Sequence, residues 1–424
     1  MNFIEELQWR GLLFDSTRGT AEHLASGVRT GYAGFDPTAA SLHIGNLVQI
    51  MLLVHFQRSG HKPIALVGGA TGMIGDPAGK SEERKLQSEA TVREYETKIK
   101  EQLSRFLDFG TRGNAASIEN NYEWFREIKL LDFLRDAGKH LTVNYMMAKD
   151  SVKNRLETGL SFTEFTYQLM QGYDFYWLNQ HRGCTLQVGG SDQWGNITAG
   201  IELTRKKTGD EIFAVTSPLI TRADGVKFGK TEEGTVWLDS SMTSPYKFYQ
   251  FWLSVSDEDA LRYIRIFSLL SREEIEDIEQ QHKKAPHLRA IQEALAKDIT
   301  VRVHSAHDYN TAVRASKILF GQSTAQDLQA LSNRELEEIL EGVPVKKLSR
   351  DIFETGVDAM EILVDITKFF PSRNDARRTI DSKGASINKQ TINHDHIVNS
   401  GQLINNRYLL LQKGKKNYFL VIAE

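Results

Sequence analysis

The chain alternates short apolar runs with segments whose apolar positions recur every three or four residues. "RTGYAGF" (29–35) reads as a buried strand. Residues 42–56 read as a helix, because Leu42, Leu47, Ile50, Met51 and Val54 keep a helical spacing. "KPIALVG" (62–68), "CTLQVGG" (184–190) and "IFAVTSPLI" (212–220) repeat the strand texture, with helix-like segments between. Strands alternating with helices predict a parallel sheet covered on both faces. Ligands of such sheets bind beyond the C-terminal strand ends. From about Ser244 the texture changes, and 246–318 reads as helical. Residues 321–352 hold few apolar runs and predict a linker with short helices. A last unit begins near Ala359, helix-like and then strand-like. The expected organisation is an α/β domain over 1–240, an α-helical domain over 241–320, a linker over 321–354 and a small α+β domain over 355–424.

A length of 424 residues fits this count of domains. The net charge of -3 argues against a chain coated in basic residues, and leaves room for a local basic patch. One cysteine, Cys184, excludes an internal disulfide and a cysteine-rich zinc site. The 12 histidines form no His-Glu-x-x-His pattern, so no tightly bound metal is expected. The N-terminus lacks an apolar signal segment. The longest apolar stretch, "NLVQIMLLVHF", is broken by Gln49 and His55. It falls short of the ~20 residues that span a bilayer. A cytoplasmic protein without membrane attachment is expected.

Polar residues gather where strands end. "LVGGATGMIGDPAGKSEERK" (66–85) misses the P-loop spacing by one residue, since only three residues separate Gly75 from Gly79 where four are needed. Gly69, Gly72 and Gly75 also miss the dinucleotide fingerprint. On this stretch alone, a glycine-rich turn after a buried strand is the favoured reading. In "GYAGFDPTAASLHIGN" (31–46), Ser41 is placed to cap a helix. His43 and Asn46 then share its first turn, and Gly45 leaves the backbone open to a flat ring. A helix N-terminus with donors suits a nucleotide phosphate. A capped helix with a surface histidine is the plain alternative.

In "TEFTYQLMQGYDF" (163–175), Tyr167, Gln171 and Asp174 fall on one helix face amid apolar neighbours. A polar stripe on a buried helix needs partners, either other side chains or a polar ligand. In "LQVGGSDQWGN" (186–196), Gly189 and Gly190 permit close approach, and Asp192 is placed to hold ribose hydroxyls. Lys227 and Lys230 lie in a glycine-flanked loop, which suits transient charge on phosphate or a solvated turn.

Together these segments, with "KFGKT" and "TSPYKFYQFW", resemble the bacterial tyrosyl-tRNA synthetases, a class I aminoacyl-tRNA synthetase family. Their order and spacing fit from the N-terminus to the last strand. His43-Ile44-Gly45-Asn46 looks like the first class I signature, and Lys227-Phe228-Gly229-Lys230-Thr231 like the second. Many members carry a second histidine where this chain has Asn46, whose amide N–H can donate in its place.

The resemblance implies a Rossmann-like catalytic domain that joins tyrosine to ATP and then passes it to tRNA(Tyr). It implies that Tyr32 and Asp174 bracket the phenol, that Asp76, Tyr167 and Gln171 take the α-amino group, and that Gln193 lies near the carboxylate. Gly34, Asp36, His43, Gly45, Asn46, Gly190, Asp192 and Lys230 would meet ATP. Thr38, His43, Lys80, Arg84, Lys227, Lys230 and Thr231 would stabilise the transferring phosphates, with Mg2+ accompanying ATP. It also implies a homodimer.

"FFPSRNDARRTIDSKGASIN" (369–388) resembles a small RNA-binding module shared with a ribosomal small-subunit protein. Ser372 with Asp375 predicts a capping box, and Arg373 with Arg377 falls on one face. With Arg378, Lys413, Lys415 and Lys416 they predict a phosphate-contacting patch. Two other readings remain: a tryptophan-specific relative, and an inactive RNA-binding protein on the same scaffold.

Overall fold

The computed structural model describes residues 2–78, 87–110, 113–156, 159–225, 228–231, 234–320, 325–340, 343–414 and 417–424. Two compact units emerge, Met1–Thr243 with Trp252–Val303, and Ser244–Phe251 with His304–Glu424.

The first unit holds a six-stranded sheet of β1 (Asp15–Ser16), β2 (Thr30–Phe35), β3 (Lys62–Val67), β4 (Ser117–Asn120), β5 (Cys184–Gly190) and β6 (Phe213–Ser217). Their order is β1-β6-β5-β2-β3-β4. All neighbours run parallel except β1, which is antiparallel to β6. The apolar runs therefore mark the four central strands. The edge strands β1 and β4 escape the pattern because they are short and polar, Asp-Ser and Ser-Ile-Glu-Asn. After β2 the chain builds β3 and β4 on one side, then returns to build β5 and β6 on the other. The topological switch point lies between β2 and β5, where a crevice opens at the strand ends.

Four helices pack on this sheet: α1 (Leu47–Arg58), α2 (Glu89–Leu103), α3 (Phe162–Arg182) and α4 (Trp194–Thr208). The helix expected from residue 42 starts later, after a single 3-10 turn at Ile44–Asn46. Ser41 is not its cap. The Ser41 hydroxyl donates to the Leu42 carbonyl at 2.6 Å and accepts from Gln102 at 2.9 Å. His43 caps instead, its Nδ1 accepting the Gly45 N–H at 3.0 Å, while Asn46 Oδ1 accepts the His43 N–H at 3.0 Å. The reason for glycine at 45 is therefore local. A Cβ there would lie 2.8 Å from the folded-back His43 ring.

α3 begins at a Ser161 cap and ends at Gly183, whose φ of 61° suits a left-handed C-cap. It packs closely on α4, where a Cβ at Gly172 would lie 3.3 Å from the Gly200 nitrogen. Gln168 of α3 donates from Nε2 to the Gly195 carbonyl at the start of α4, at 3.2 Å.

The second unit does not follow the expected linker. Val345–Leu348 forms a strand, β7, that pairs parallel with the last strand of the chain. The five-stranded sheet adds β8 (Ala385–Ile387), β9 (Gln390–Thr391), β10 (Tyr408–Lys413) and β11 (Asn417–Ala423). Leu409, Leu411, Phe419 and Val421 face one core, with Phe353, Ala376 and Ile380. Tyr408, Leu410, Leu420 and Ile422 face another, with Leu328, Leu331, Leu336, Ile339 and Leu340. Burial on both faces makes β10 and β11 read as unbroken apolar runs. The expected helical domain over 241–320 is likewise divided, since residues 252–303 belong to the first unit.

Candidate active site

The crevice at the switch point is lined by Gly34 near the end of β2, by Asp36 and Thr38 after it, by His43 and Asn46, and by Asp76. Tyr167 and Gln171 reach it from α3, Gln187 from β5, and Gln193 and Trp237 close it. Eight of the residues expected to bind ligand thus share one wall system with Thr38, although they come from distant parts of the chain.

Tyr32 and Asp174 lie deeper, 1% and 2% exposed. The Tyr32 hydroxyl is buried with no hydrogen-bond partner among the described residues. Asp174 is held on both oxygens, by Trp124 Nε1 at 2.9 Å and Asn121 Nδ2 at 3.1 Å. Burial pushes the Asp174 carboxyl upward, and these two donors oppose it. Burial and the Asp174 charge together push the Tyr32 phenol up. A buried hydroxyl left unpaired beside a carboxylate calls for a third polar group. Gln171 and Gln187 also bury an unpaired Oε1.

Asn121 ties this end to the rest of the crevice. Its Oδ1 accepts the Ala70 N–H at 2.7 Å, and its Nδ2 also donates to Thr71 Oγ1 at 2.9 Å. Thr71 donates to Asp36 Oδ1 at 2.7 Å, and Tyr167 donates to Asp36 Oδ2 at 2.8 Å. Tyr167 and Asp36, expected to touch different ligands, are therefore hydrogen-bonded to each other.

Asp76 accepts from the Ala78 N–H at 2.9 Å, from Gln193 Nε2 at 2.7 Å and from Asn196 Nδ2 at 3.4 Å. Burial raises its carboxyl to about 6, and the charges of Asp36 and Asp192 add to the rise. Ionised, such a group is a counter-charge for a cation brought into the crevice, and its raised carboxyl takes up a proton more readily than an ordinary carboxylate.

The two expected signatures meet through the backbone. The Ile44 N–H donates to the Val236 carbonyl at 3.0 Å, and the Leu238 N–H to the Leu42 carbonyl at 2.9 Å. Lys230–Thr231 pairs with Gly234–Thr235 as a short hairpin just before this ribbon. Because His43 Nδ1 accepts a backbone N–H, the neutral ring carries its proton on Nε2. Lys80, Arg84 and Lys227, and the side chains of Lys230 and Thr231, lie outside the described residues.

Gly45, Gly190 and Asp192 do not line the crevice. Asp192 folds over Gly190, where a Cβ would lie 2.5 Å from its carboxylate. Leu219, 59% exposed, borders the same spot. Sequence reasoning missed Thr71, Asn121, Trp124, Gln187, Asn196 and Leu219. Two left a signal: Asn196 stands three residues after Gln193, and Asn121 three before Trp124, one helical turn apart in each case.

The basic patch of the second unit is partly neutralised. Arg373 pairs with Asp365 on the helix α5 (Arg373–Asp381) side of the unit. Ser372 accepts the Asp375 N–H at 3.2 Å, but the capping box is not completed. The Asp375 carboxylate instead accepts from Lys413 Nζ at 2.6 Å. Arg377 and Arg378 remain exposed, and Lys415 and Lys416 lie outside the described residues. Among the described residues no group of three His, Cys, Asp or Glu side chains is arranged to hold a metal. No helix there is long and apolar enough to cross a membrane.

Residues 27–321 match the family "tRNA synthetases class I (W and Y)", and 335–421 match "Tyrosine--tRNA ligase SYY-like C-terminal domain". The chain is 58% identical to the tyrosine--tRNA ligase of Cytophaga hutchinsonii, over 99% of both chains. It is 56% identical to that of Bacteroides thetaiotaomicron, over 100% of both. Among solved structures, a C-terminally truncated Aspergillus nidulans mitochondrial tyrosyl-tRNA synthetase aligns with a TM-score of 0.68 and 30% identity. That alignment covers 75% of this chain and 94% of the other. The chain belongs to the tyrosyl-tRNA synthetases of class I.

Proposed function

We propose that the protein activates tyrosine with ATP and transfers it to tRNA(Tyr). The observation that carries the amino-acid choice is the buried Tyr32 hydroxyl, without a hydrogen-bond partner among the described residues and close to the Asp174 charge. A phenol hydroxyl placed there donates to Asp174 and accepts from Tyr32. An indole offers no such oxygen, which favours tyrosine over tryptophan. The α-ammonium group meets Asp76, with Tyr167 and Gln171 alongside, and Gln193 lies toward the carboxylate. ATP enters over Gly34, Asp36, Thr38, His43, Gly45 and Asn46, its ribose toward Gly190 and Asp192, as a magnesium complex.

The tyrosine carboxylate attacks the α-phosphorus in line. A P–O bond forms, the bond to pyrophosphate breaks, and no side chain need act as base. Catalysis is positioning plus charge stabilisation, from His43 Nε2–H and from Lys80, Arg84, Lys227, Lys230 and Thr231. A ribose hydroxyl at the tRNA 3′ end then attacks the tyrosyl carbonyl and AMP leaves. Arg373, Arg377, Arg378, Lys413, Lys415 and Lys416 supply contacts to tRNA phosphates. This work belongs in the cytoplasm. Pyrophosphate–ATP exchange with tyrosine, tryptophan and phenylalanine tests the assignment. Exchange driven by tyrosine alone is expected, and no exchange with any of them would point to the inactive scaffold.

Asp76 makes this activity pH-dependent. Its carboxyl, raised to about 6, is protonated below that value and no longer opposes the tyrosine ammonium. Tyrosine kcat/KM should therefore fall about tenfold per pH unit below roughly pH 6, one proton being taken up. The effect on folding has the opposite sign. The ionised form is penalised in the fold, so this group's stability cost eases as pH falls from about 6 toward the ordinary carboxylate range. In Asp76→Asn the acid limb should vanish from a uniformly low profile. An unchanged acid limb in that variant would assign it to another group.

The homodimer rests on an unburied apolar face. The helix Leu130–Asp136 has no buried residue. Leu130, Leu131 and Leu134 are exposed on it, and Phe162, at the start of α3, is 77% exposed. An apolar face of this kind marks an association surface. Leu131→Asp should give a monomer by sedimentation velocity at concentrations where the parent protein sediments as a dimer.

A further inference from the structure

The two class I signatures are fastened to the body of the first unit at one buried point, and α2 supplies it. Gln102, 8% exposed, accepts the Leu42 N–H on Oε1 at 2.9 Å. Its Nε2 donates to Ser41 Oγ at 2.9 Å. Ser41 Oγ in turn donates to the Leu42 carbonyl at 2.6 Å and accepts the Asp239 N–H at 3.1 Å. Leu42 immediately precedes His43. Asp239 immediately follows the ribbon, Val236 to Leu238, that leads out of the Lys230 hairpin. One amide side chain and one hydroxyl thus hold the entrance of the first signature and the exit of the second in a fixed relation. None of these atoms lines the crevice except those of Ser41 and Leu42 at its rim.

We infer that Gln102 is a positioning residue for adenylate formation, acting through Ser41 to keep the His43 turn and the Lys230 hairpin in register. The inference rests on the reading that both signatures act on ATP. Their groups must reach the same phosphates at the moment charge develops. A misplacement of about 1 Å in such a constellation costs about a hundredfold in rate. Leucine at 102 keeps the volume but leaves the Leu42 N–H buried without an acceptor, and the ribbon relaxes toward another partner. Tyrosine binding should be spared. Its expected contacts at Tyr32, Asp76, Tyr167, Gln171, Asp174 and Gln193 share no hydrogen bond with Gln102 or Ser41 among the described residues.

The test is single-turnover adenylate formation with the full chain, together with tyrosine affinity by equilibrium dialysis. Gln102→Leu and Ser41→Ala should each slow adenylate formation about ten- to a hundredfold, with tyrosine affinity changed less than twofold. The double variant should be no slower than the slower single one. Gln102→Glu keeps an acceptor for Leu42 and loses the donor to Ser41, so it should fall between Gln102→Leu and the parent. Should Gln102→Leu fail to fold, Ser41→Ala and Gln102→Glu carry the test alone. Rates within twofold of the parent would overturn the inference, as would multiplicative losses in the double variant or equal losses in rate and tyrosine affinity. Lys230→Ala is the control for the underlying reading. If it leaves the rate unchanged, the assignment of the second signature fails. If it slows the rate while the hub variants do not, only the role of Gln102 fails.

Discussion

Tyr32→Phe should lower the ratio of tyrosine to phenylalanine kcat/KM by one to two powers of ten while leaving the protein as stable as the parent, or slightly more so. The two outcomes share one cause. The Tyr32 hydroxyl is buried without a hydrogen-bond partner among the described residues, so removing it costs no hydrogen bond there. An unsatisfied buried group costs about 1–3 kcal/mol, and phenylalanine at this position relieves that cost. With tyrosine bound, the same hydroxyl gains a partner, and its loss forfeits a buried bond worth a similar amount. A pocket that requires a hydroxyl rejects the analogue lacking it because its polar groups are left unpaired; the standard illustration of that rule is this enzyme class.

Asp174 should be the harsher position. Both its oxygens accept from fixed N–H donors, Trp124 and Asn121. Asparagine would set an NH2 group against one of them, so Asp174→Asn disturbs the donors as well as the ligand. Asp174→Ala leaves both donors unpaired. Losses of a hundredfold or more in tyrosine kcat/KM are expected, against small changes for phenylalanine. The exchange assay with both amino acids, and urea unfolding of Tyr32→Phe, provide the measurements. An unchanged ratio in Tyr32→Phe and Asp174→Ala would place the phenol elsewhere. A Tyr32→Phe protein destabilised by more than 1 kcal/mol would show that the hydroxyl is not unpaired.

Periodicity made the four central strands and α3 legible, because burial imposes strict spacing on them. It did so less well where tertiary partners decide. Ser41 has the side chain of a helix cap, yet Gln102, sixty-one residues away, claims it, and His43 takes the cap. No local rule favours histidine there. Asn121 and Trp124 escaped because they follow a four-residue polar edge strand with no apolar signature of its own. Tyr167, Gln171 and Asp174 were legible as a stripe, but the stripe does not reveal that Tyr167 bonds to Asp36. The linker was misread for a compositional reason. Short helices that bury one face show only scattered leucines, and Leu328, Leu331, Leu336, Ile339 and Leu340 were too few to announce a core.

That misreading changes where the chain can be cut. A protein ending near residue 320 should form tyrosyl-adenylate at close to the parent rate and charge tRNA at less than a hundredth of it. A protein ending near 354, the boundary suggested by composition, should aggregate. Five residues decide the difference. Leu328, Leu331, Leu336, Ile339 and Leu340 are all buried against the Tyr408, Leu410, Leu420 and Ile422 face of the sheet. Removing 355–424 strips that cover while keeping the helices that need it, exposing about 1.5–3 kcal/mol of burial per side chain. It also leaves β7 without β11, its only sheet neighbour among the described residues. Ending near 320 removes the five side chains and the sheet they cover together, leaving only Ala315 of that core's buried residues, and it falls where the catalytic family match stops, at 321. The fate of charging follows from charge. Arg377 and Arg378 are exposed on α5, which the cut removes, and phosphate contacts by such residues weaken steeply with salt. Charging by the full chain should therefore fall as salt rises, while exchange by the 1–320 protein stays nearly flat. Equal charging by both proteins at physiological salt would mean that the second unit does not hold the tRNA.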